Sequence, residues 1–188
     1  MGAGAAVVAY HAMPYVQDRV AIWQNPWSDA QDVGYQLVQA LIAIGSGGLF
    51  GMGLGLGMPR NVPLYHSDFI FSSIAEEFGL IFSIGLMAVY VLIIMRGLIV
   101  AMNARTSFHS LTAFGIVMIM GMQALLIIGG NTKMLPLTGV TLPLVSYGGS
   151  SLVSTFFSMG ILLGISSLNA EDEARDIEKI ALREEVGL

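Results

Sequence analysis

The 188-residue chain contains no cysteine, and only 11% of its residues are charged. The lack of cysteine excludes a disulfide framework, a thiolate nucleophile and a cysteine-based metal site. Soluble domains carry about 25% charged residues, so this chain has less than half of the usual solvating charge. Because 55% of its residues are hydrophobic, the composition excludes a disordered chain and predicts an integral membrane protein.

Basic residues are also scarce, since 8 Lys and Arg stand against 13 Asp and Glu for a net charge of −5. A general nucleic-acid binder needs a basic face, so the sequence predicts no nucleic-acid partner. The three histidines, His11, His66 and His109, are scattered. None has a second ligand at helical spacing, and the metal content therefore stays unknown at this stage.

Three long stretches with few or no charges are candidates for membrane-spanning helices. A bilayer core about 30 Å thick requires roughly 20 mostly apolar residues in a helix. In chain order, the predicted spans are residues 69–95, 109–130 and 143–168. The third helix begins near Pro143 or after Gly148-Gly149, because proline suits a first turn better than a helix interior. Residues 1–13 are apolar but too short to span, which predicts the end of a truncated transmembrane helix.

The segment 14–68 is predicted to be a large loop that contains a helix from about Gly34 to Ile44. A glycine-rich stretch up to Gly57 follows, and each glycine weakens a helix by up to about 1 kcal/mol relative to alanine. We therefore predict an irregular or re-entrant segment, which is tolerated at membrane depth only inside protein or beside a water-filled cavity. Gly47, Gly51 and Gly55 repeat at a spacing of four, as on helix-packing faces, and close packing is preferred over a nucleotide-binding loop as the interpretation of these glycines.

The charges of the connecting loops predict the orientation in the membrane. The loop 96–108 carries two arginines and no acid, which places it in the cytoplasm by the positive-inside rule. The segments 14–68 and 131–142 are then extracytoplasmic. The charged tail 169–188 is predicted to be cytoplasmic and to form a solvated helix that Asn169 caps.

Three acids lie at or near the start of the first predicted span. Asp68 is a good N-cap residue for the helix that follows it. Glu76 and Glu77 lie about two turns further along, where an ionised group costs around 2.5–3.5 kcal/mol at mid-membrane. Their spacing fits a structural pair as well as a functional polar cluster, and the sequence leaves both interpretations open.

The segment 131–151 combines two prolines, three glycines, several hydroxyl side chains and Lys133 between two spans. Backbone amides freed by such bends, together with the hydroxyls and the lysine, could hold an anionic group. A polar loop followed by a serine-rich helix start explains the same composition.

Within that segment, residues 142–151 read Leu-Pro-Leu-Val-Ser-Tyr-Gly-Gly-Ser-Ser. This run closely resembles the signature of the SEDS family (shape, elongation, division and sporulation), whose members include FtsW, RodA and SpoVE. Three further blocks resemble the family in the same order: the loop at 27–39, the glycine segment at 45–57, and His-Ser-Asp-Phe-Ile-Phe at 66–71 with Glu-Glu-Phe-Gly at 76–79. One departure is Leu64 after Pro63, where the family commonly has Pro-Glu.

The resemblance implies an all-α polytopic fold of about ten transmembrane helices, of which this chain would hold the last four with a large extracytoplasmic loop. It implies polymerisation of peptidoglycan glycan strands from lipid II, in a multi-pass protein of the bacterial cytoplasmic membrane. The implied partner is a class B penicillin-binding transpeptidase. Activity is expected to require the N-terminal helices of the family.

The resemblance also implies roles for individual residues. Asp68 corresponds to the family's essential aspartate, and a carboxylate suits the removal of a proton from an attacking sugar hydroxyl. The leaving pyrophosphate needs positive charge or a divalent cation, magnesium or manganese. Glu76 and Glu77 are candidates for supporting the site. The substrate-binding candidates are Arg19, Arg60, Lys133, Ser146, Tyr147, Gly148, Gly149, Ser150 and Ser151.

Two other functions stay open at this point. A flippase for the lipid-linked precursor would use the glycine-broken segment and the buried acids to line a polar pathway. A fragment without its N-terminal helices would be inert. A flippase needs no catalytic base, so the carboxylate of Asp68 separates the first alternative from polymerisation.

Overall fold

The computed structural model describes residues 13–32, 34–58 and 62–185. All regular structure in these ranges is helical. In chain order the elements are α1 Pro14–Gln24, a short 3-10 helix Pro26–Asp29, α2 Tyr35–Gly47, α3 Ile70–Met102, α4 Ser107–Asn131 and α5 Gly149–Glu185. Of the predicted helix end at 1–13, only Met13 is among the described residues. Arg60 also lies outside them.

Three of these helices are long and apolar enough to cross a membrane: Ile70–Met102, Ser107–Asn131 and Gly149–Leu182. Large apolar side chains are exposed along all three, as Leu92, Leu111 and Phe157 illustrate. Such surfaces suit a hydrocarbon environment rather than water. The structure thus confirms the prediction of an all-helical, multi-pass membrane protein.

Helix α5 begins at Gly149, which is the later of the two predicted starts. Pro143, the earlier predicted start, lies in a turn before the helix. It then runs without a break through Asn169. The prediction that Asn169 caps a separate tail helix is therefore wrong, since no helix start exists there with free amides to satisfy. Its side-chain amide instead donates to the carbonyl oxygen of Val100 at 2.9 Å.

The chain divides into two compact units. The first runs to Ala88 and includes Gln123–Gly148, and the second comprises Val89–Met122 with the residues from Gly149 onward. The first unit has a buried apolar cluster of Ala40, Ala43, Val62 and Phe69. The second has a buried cluster of Ala101, Ala113, Val117, Leu162 and Ile165. All of the geometry around Asp68 lies in the first unit.

Helix α3 is broken at Gly79, which has φ 83° and ψ 179°. The glycine-rich segment 48–58 fills the break and pairs with its backbone. Four hydrogen bonds form this pairing. The amides of Leu80 and Ile81 donate to the carbonyls of Gly48 and Leu49, at 3.0 and 3.3 Å respectively. In the other direction, the amides of Met52 and Gly53 donate to the carbonyls of Glu76 and Glu77, at 2.9 and 3.0 Å. In an unbroken helix these four α3 groups would have bonded to each other, so the segment replaces the two helical bonds that the break removes from them.

The contact between this segment and α3 is close enough to require glycine. A Cβ on Gly51 would lie 2.2 Å from the carbonyl oxygen of Glu77, and one on Gly47 would lie 2.0 Å from that of Ala75. The preferred interpretation of close glycine packing thus holds for these two positions. The glycines do not form a helix-packing face, however, because α2 ends at Gly47. A Cβ on Gly55 would meet nothing within 4 Å, so close packing does not explain that glycine.

Candidate functional site

A cavity of about 280 Å³ lies in the first unit, where α3 begins. Part of its wall is apolar and includes Trp23 and Phe69. Its polar wall is formed by Asp18, Arg19, Asp32, Gln36, Asp68, Asn131 and Thr138. A mostly apolar cavity with a few convergent polar groups is the usual form of a small-molecule site. We therefore take this cavity as the candidate site.

The Asp68 carboxylate and the Arg19 guanidinium face the same part of this cavity. A Cβ built on Gly139 would lie 3.6 Å from Oδ2 of Asp68 and 4.0 Å from Nη2 of Arg19. Gly139 has φ 69°, a conformation that glycine adopts without strain. Arg19 also donates a hydrogen bond to the carbonyl oxygen of Leu137, which ties α1 to the loop that carries Gly139. One small space thus contains both a proton acceptor and an anion-binding group.

The backbone that leads into α3 is held at three successive carbonyl groups by residues from distant parts of the chain. The carbonyl oxygens of His66, Ser67 and Asp68 each accept one such bond. The donors are the Tyr147 amide at 2.8 Å, the Ser146 hydroxyl at 2.7 Å and the Asn131 side-chain amide at 2.9 Å. We call this arrangement the carbonyl clamp. It fixes the position of the Asp68 backbone from outside α3.

Asn131 is the most buried member of the clamp, with no exposed surface. Its Nδ2 donates to the carbonyl oxygens of Asp68 and of Ile127, both at 2.9 Å. Its Oδ1 accepts from the amide of Ser72 at 3.3 Å, one of the first-turn amides of α3 that lack a helical partner. A single side chain at the end of α4 therefore binds both the residue before α3 and the first turn of α3.

Ser146 and Tyr147, two of the predicted substrate-binding residues, meet the site through this clamp. The Ser146 hydroxyl is buried, and it also accepts from the Leu142 amide at 2.8 Å. The Tyr147 ring is 76% exposed and lies edge-on to the ring of His66, with centroids 5.9 Å apart. Contact of either side chain with substrate stays a prediction.

The rest of the predicted serine-glycine block is divided between the two units. Gly148 closes the first unit, whereas Gly149, Ser150 and Ser151 form the first turn of α5 in the second. The carbonyl oxygen of Ser151 accepts from the Thr155 hydroxyl at 2.7 Å. Their role in substrate binding also stays a prediction.

Of the three basic candidates, the structure brings Arg19 next to Asp68. Lys133 has φ 60° and follows the end of α4, where its carbonyl oxygen accepts from the Trp23 indole at 3.1 Å. It is absent from the cavity wall as far as the described residues define that wall. Arg60 lies outside the described residues, so its role in substrate binding stays a prediction.

Glu76 and Glu77 hold the glycine-rich segment rather than line the cavity wall of the described residues. Oε1 of Glu76 accepts from the Met58 amide at 3.0 Å, and Oε1 of Glu77 accepts from the Gly55 amide at 3.2 Å. Glu76 is buried, and its Oε2 has no hydrogen-bond partner within the part of the chain that the structure describes. Their predicted support of the active site stays a prediction.

Asn131 and Thr138 of the cavity wall belong to the polar segment 131–151 but were not named as candidates, and three further polar residues of the wall were missed from the sequence: Asp18, Asp32 and Gln36. Asp18 adjoins Arg19 on α1, and Gln36 belongs to the Gly-Tyr-Gln run of the outer loop. These positions would have been found by asking which polar residues accompany the candidate arginine and the outer-loop block.

Comparison with known proteins connects this geometry to a family. The family model of FtsW, RodA and SpoVE, described as cell cycle protein, matches residues 1–171. The chain belongs to this family. The match confirms the resemblance that the four sequence blocks carry, and it makes the chain a SEDS protein.

Curated relatives in this family are named as peptidoglycan glycosyltransferases. RodA of Mycobacterium tuberculosis is 41% identical over 164 residues, which are 87% of this chain and 35% of that protein. A probable FtsW of Geobacter metallireducens is 43% identical over 155 residues, which are 81% of this chain and 41% of that protein. The chain thus spans less than half of the length of these relatives.

Solved structures agree with the fold. A peptidoglycan synthase complex that coordinates polymerization and crosslinking contains a chain with a TM-score of 0.66 and 30% identity, over 85% of this chain and 44% of that one. A mutant of the rod shape determining protein RodA from Thermus thermophilus has a TM-score of 0.51 and 36% identity, over 67% of this chain and 38% of that one.

Proposed function

We propose that the protein to which this chain contributes polymerises glycan strands from lipid II in the bacterial cytoplasmic membrane. The observation that carries the proposal is the presence of the Asp68 carboxylate and the Arg19 guanidinium in one cavity, on either side of Gly139, at the start of an apolar helix. The names of the curated SEDS relatives support it. Because this chain spans under half of their length, the helices beyond it belong to the proposal too.

The chemistry requires one proton acceptor. A sugar hydroxyl attacks the anomeric carbon of a second sugar, a new glycosidic C–O bond forms, and the C–O bond to the lipid pyrophosphate breaks. The hydroxyl proton passes to the Asp68 carboxylate. A well-placed general base of this kind typically accelerates a reaction by about 10²- to 10⁴-fold.

The leaving pyrophosphate carries negative charge away from the anomeric carbon. The Arg19 guanidinium suits it, because its planar donor set bonds two oxygens of one phosphate at once. The bond from Arg19 to the Leu137 carbonyl fixes the side chain beside Asp68. Arg19 therefore stabilises the departing group while Asp68 accepts the proton.

A divalent cation, magnesium or manganese, stays part of the proposal. The described residues contain no group of three or more His, Cys, Asp or Glu side chains that could hold a metal ion. Magnesium, however, is often held by one or two carboxylates together with substrate phosphates, and Asp18 and Asp32 line this cavity. Either of these two carboxylates would hold the ion together with the pyrophosphate, whose charge the ion would neutralise, so the loss of one carboxylate leaves the other as a ligand.

We also propose a class B penicillin-binding transpeptidase as the partner that crosslinks the new strands. The support is the similarity of this chain to a component of a peptidoglycan synthase complex. The order of events follows from the chemistry, since crosslinking uses the strands that polymerisation makes.

A flippase fits the structure less well than a polymerase. Discontinuous membrane helices form the substrate sites of many transporters, and α3 is discontinuous at Gly79. Here, however, the glycine-rich segment fills the break and satisfies its backbone groups. The amides of Leu80 and Ile81 and the carbonyls of Glu76 and Glu77 are therefore not free to bind a passing headgroup.

The test is reconstitution in proteoliposomes with lipid II, with the remaining helices of the relatives supplied by co-expression. Glycan strands and transfer of lipid II between leaflets are measured in the same vesicles. Polymerisation predicts strands that lengthen with time. Transfer without strands would instead identify a flippase, and the absence of both would identify an inert assembly.

Replacement of Arg19 by glutamine is expected to lower kcat/KM for lipid II by about tenfold or more, because a charged hydrogen bond to phosphate contributes about 1.5–3 kcal/mol. Lys133→Gln serves as the control, since Lys133 is not among the described residues that form the cavity wall, and the substitution leaves its carbonyl bond from Trp23 in place. Steady-state polymerisation rates at varied lipid II concentration measure both. An equal effect of the two variants would contradict the assignment of Arg19 to the pyrophosphate.

A further inference from the structure

We propose that Asn131 and Ser146 are positioning residues that set the location of the Asp68 carboxylate. This role rests on the proposed glycosyl transfer, because it concerns the base of that reaction. Neither residue is required to touch substrate. Both act through the main chain of the segment 66–68, and their side chains reach it from separate parts of the sequence.

The first argument is the geometry of the carbonyl clamp. Asp68 lies outside the regular part of α3, which begins at Ile70, so the hydrogen bonds of that helix do not fix its carbonyl. Asn131 supplies the missing bond to the Asp68 carbonyl at 2.9 Å. Ser146 holds the preceding carbonyl, that of Ser67, at 2.7 Å. Two adjacent peptide groups are thereby held by side chains from outside α3.

The second argument is that the side chains of Asn131 and Ser146 are buried and already make their hydrogen bonds within the protein. Asn131 is fully buried and Ser146 is 1% exposed. The Asn131 amide already makes three hydrogen bonds, and the Ser146 hydroxyl makes one as donor and one as acceptor. Groups that are satisfied in this way have little capacity left for a ligand. Their arrangement therefore suits the holding of a neighbour better than the binding of substrate.

The third argument concerns the consequence of a loosened clamp. The carboxylate of Asp68 is intermediate in exposure and shares its space with Arg19 across Gly139. A displacement of a catalytic group by about 1 Å can lower a rate about 10²-fold. We therefore expect Asn131→Ala to lower kcat for strand synthesis by about 10²-fold with little change in KM. Ser146→Ala is expected to act in the same direction.

Thr132→Val is the matched control. Thr132 adjoins Asn131 at the end of α4, but among the described residues its hydroxyl bonds only to the carbonyls of Ile128 and Gly129 in that same helix. A general weakening of the helix end would slow this variant as well. The positioning role predicts that Thr132→Val keeps the wild-type kcat.

A double mutant separates positioning from a merely structural role. If Asn131 acts through Asp68, then Asp68→Asn combined with Asn131→Ala is no slower than Asp68→Asn alone, because effects on one catalytic unit are not additive. A further multiplicative loss in the double mutant would overturn the proposal. So would a wild-type kcat in both Asn131→Ala and Ser146→Ala while Asp68→Asn is inactive.

A second readout does not depend on catalysis. The chain has no cysteine, so Asp68→Cys introduces a single thiol whose rate of modification by a small methanethiosulfonate reports the position of residue 68. We expect Asn131→Ala to change this rate severalfold and Thr132→Val to leave it unchanged. An unchanged rate in Asn131→Ala would overturn the positioning role. If Asp68→Asn instead retains full polymerisation, the proposed base is wrong, and the labelling rate alone decides the clamp.

Discussion

Replacement of Asp68 by asparagine is expected to lower the rate of glycan-strand synthesis by about 10²- to 10⁴-fold, the usual contribution of a general base. Asparagine has nearly the same size but cannot accept the hydroxyl proton. The clamp holds residue 68 through its backbone carbonyl, so the substitution leaves those bonds in place. We therefore expect the variant to fold and to bind lipid II, with the loss confined to kcat.

Two other carboxylates of the same cavity provide controls for this variant. Asp18 and Asp32 line the wall and are exposed, so Asp18→Asn and Asp32→Asn remove the same charge from the same space. If the cavity merely needs negative charge, all three variants slow polymerisation to a similar degree. If Asp68 is the base, its variant alone shows the large loss in kcat.

Replacement of Gly79 by alanine is expected to cause a large loss of stability. Its φ of 83° and ψ of 179° lie in a region that is essentially restricted to glycine, with a strain of about 1–3 kcal/mol for other residues. The new Cβ would lie 2.3 Å from the Gly51 nitrogen and 2.5 Å from the Leu49 carbonyl oxygen. The segment would have to move away, and each buried backbone group that lost its partner would cost about 1–3 kcal/mol more.

Gly85→Ala is the matched control for this prediction. Gly85 lies six residues later in α3, and a Cβ there would meet nothing within 4 Å. Thermal unfolding of both variants in detergent measures the difference. Since about 1 kcal/mol shifts Tm by roughly 2–4 °C in a chain of this size, Gly79→Ala should lower Tm clearly while Gly85→Ala leaves it nearly unchanged. Similar midpoints would contradict the account of the helix break.

The sequence predicts the membrane helices because their signal is local. A charge-free run such as 109–130 reports its own environment, and the helix Ser107–Asn131 follows it closely. The irregular glycine-rich segment is likewise local, since its glycines disfavour a helix. The break at Gly79 is different, because Gly79 ends the Glu-Glu-Phe-Gly block but nothing in the residue types around it predicts a broken helix there rather than at Gly85. Only the approach of residues 48–53 from elsewhere in the chain distinguishes them.

The same distinction applies to the candidate site. Asp68 is visible in the sequence through the motif around it, and Arg19 through the scarcity of basic residues. Asn131 contacts the Asp68 backbone across 63 positions of sequence, and Ser146 contacts Ser67 across 79. No pattern of residue types reports contacts at such separations. The signature at 142–151 therefore predicts a functional region. The structure is needed to find that its Ser146 and Tyr147 bind the carbonyl groups of Ser67 and His66, which precede Asp68.

The most direct test of the central claim is the rate of glycan-strand synthesis from lipid II by wild type, Asp68→Asn, Asp18→Asn and Asp32→Asn. All four are compared at equal protein level in vesicles that contain the remaining helices of the relatives. The account predicts strands from the wild type and from the Asp18 and Asp32 variants, and a loss of about 10²-fold or more in Asp68→Asn. Strands made by Asp68→Asn at the wild-type rate would contradict it.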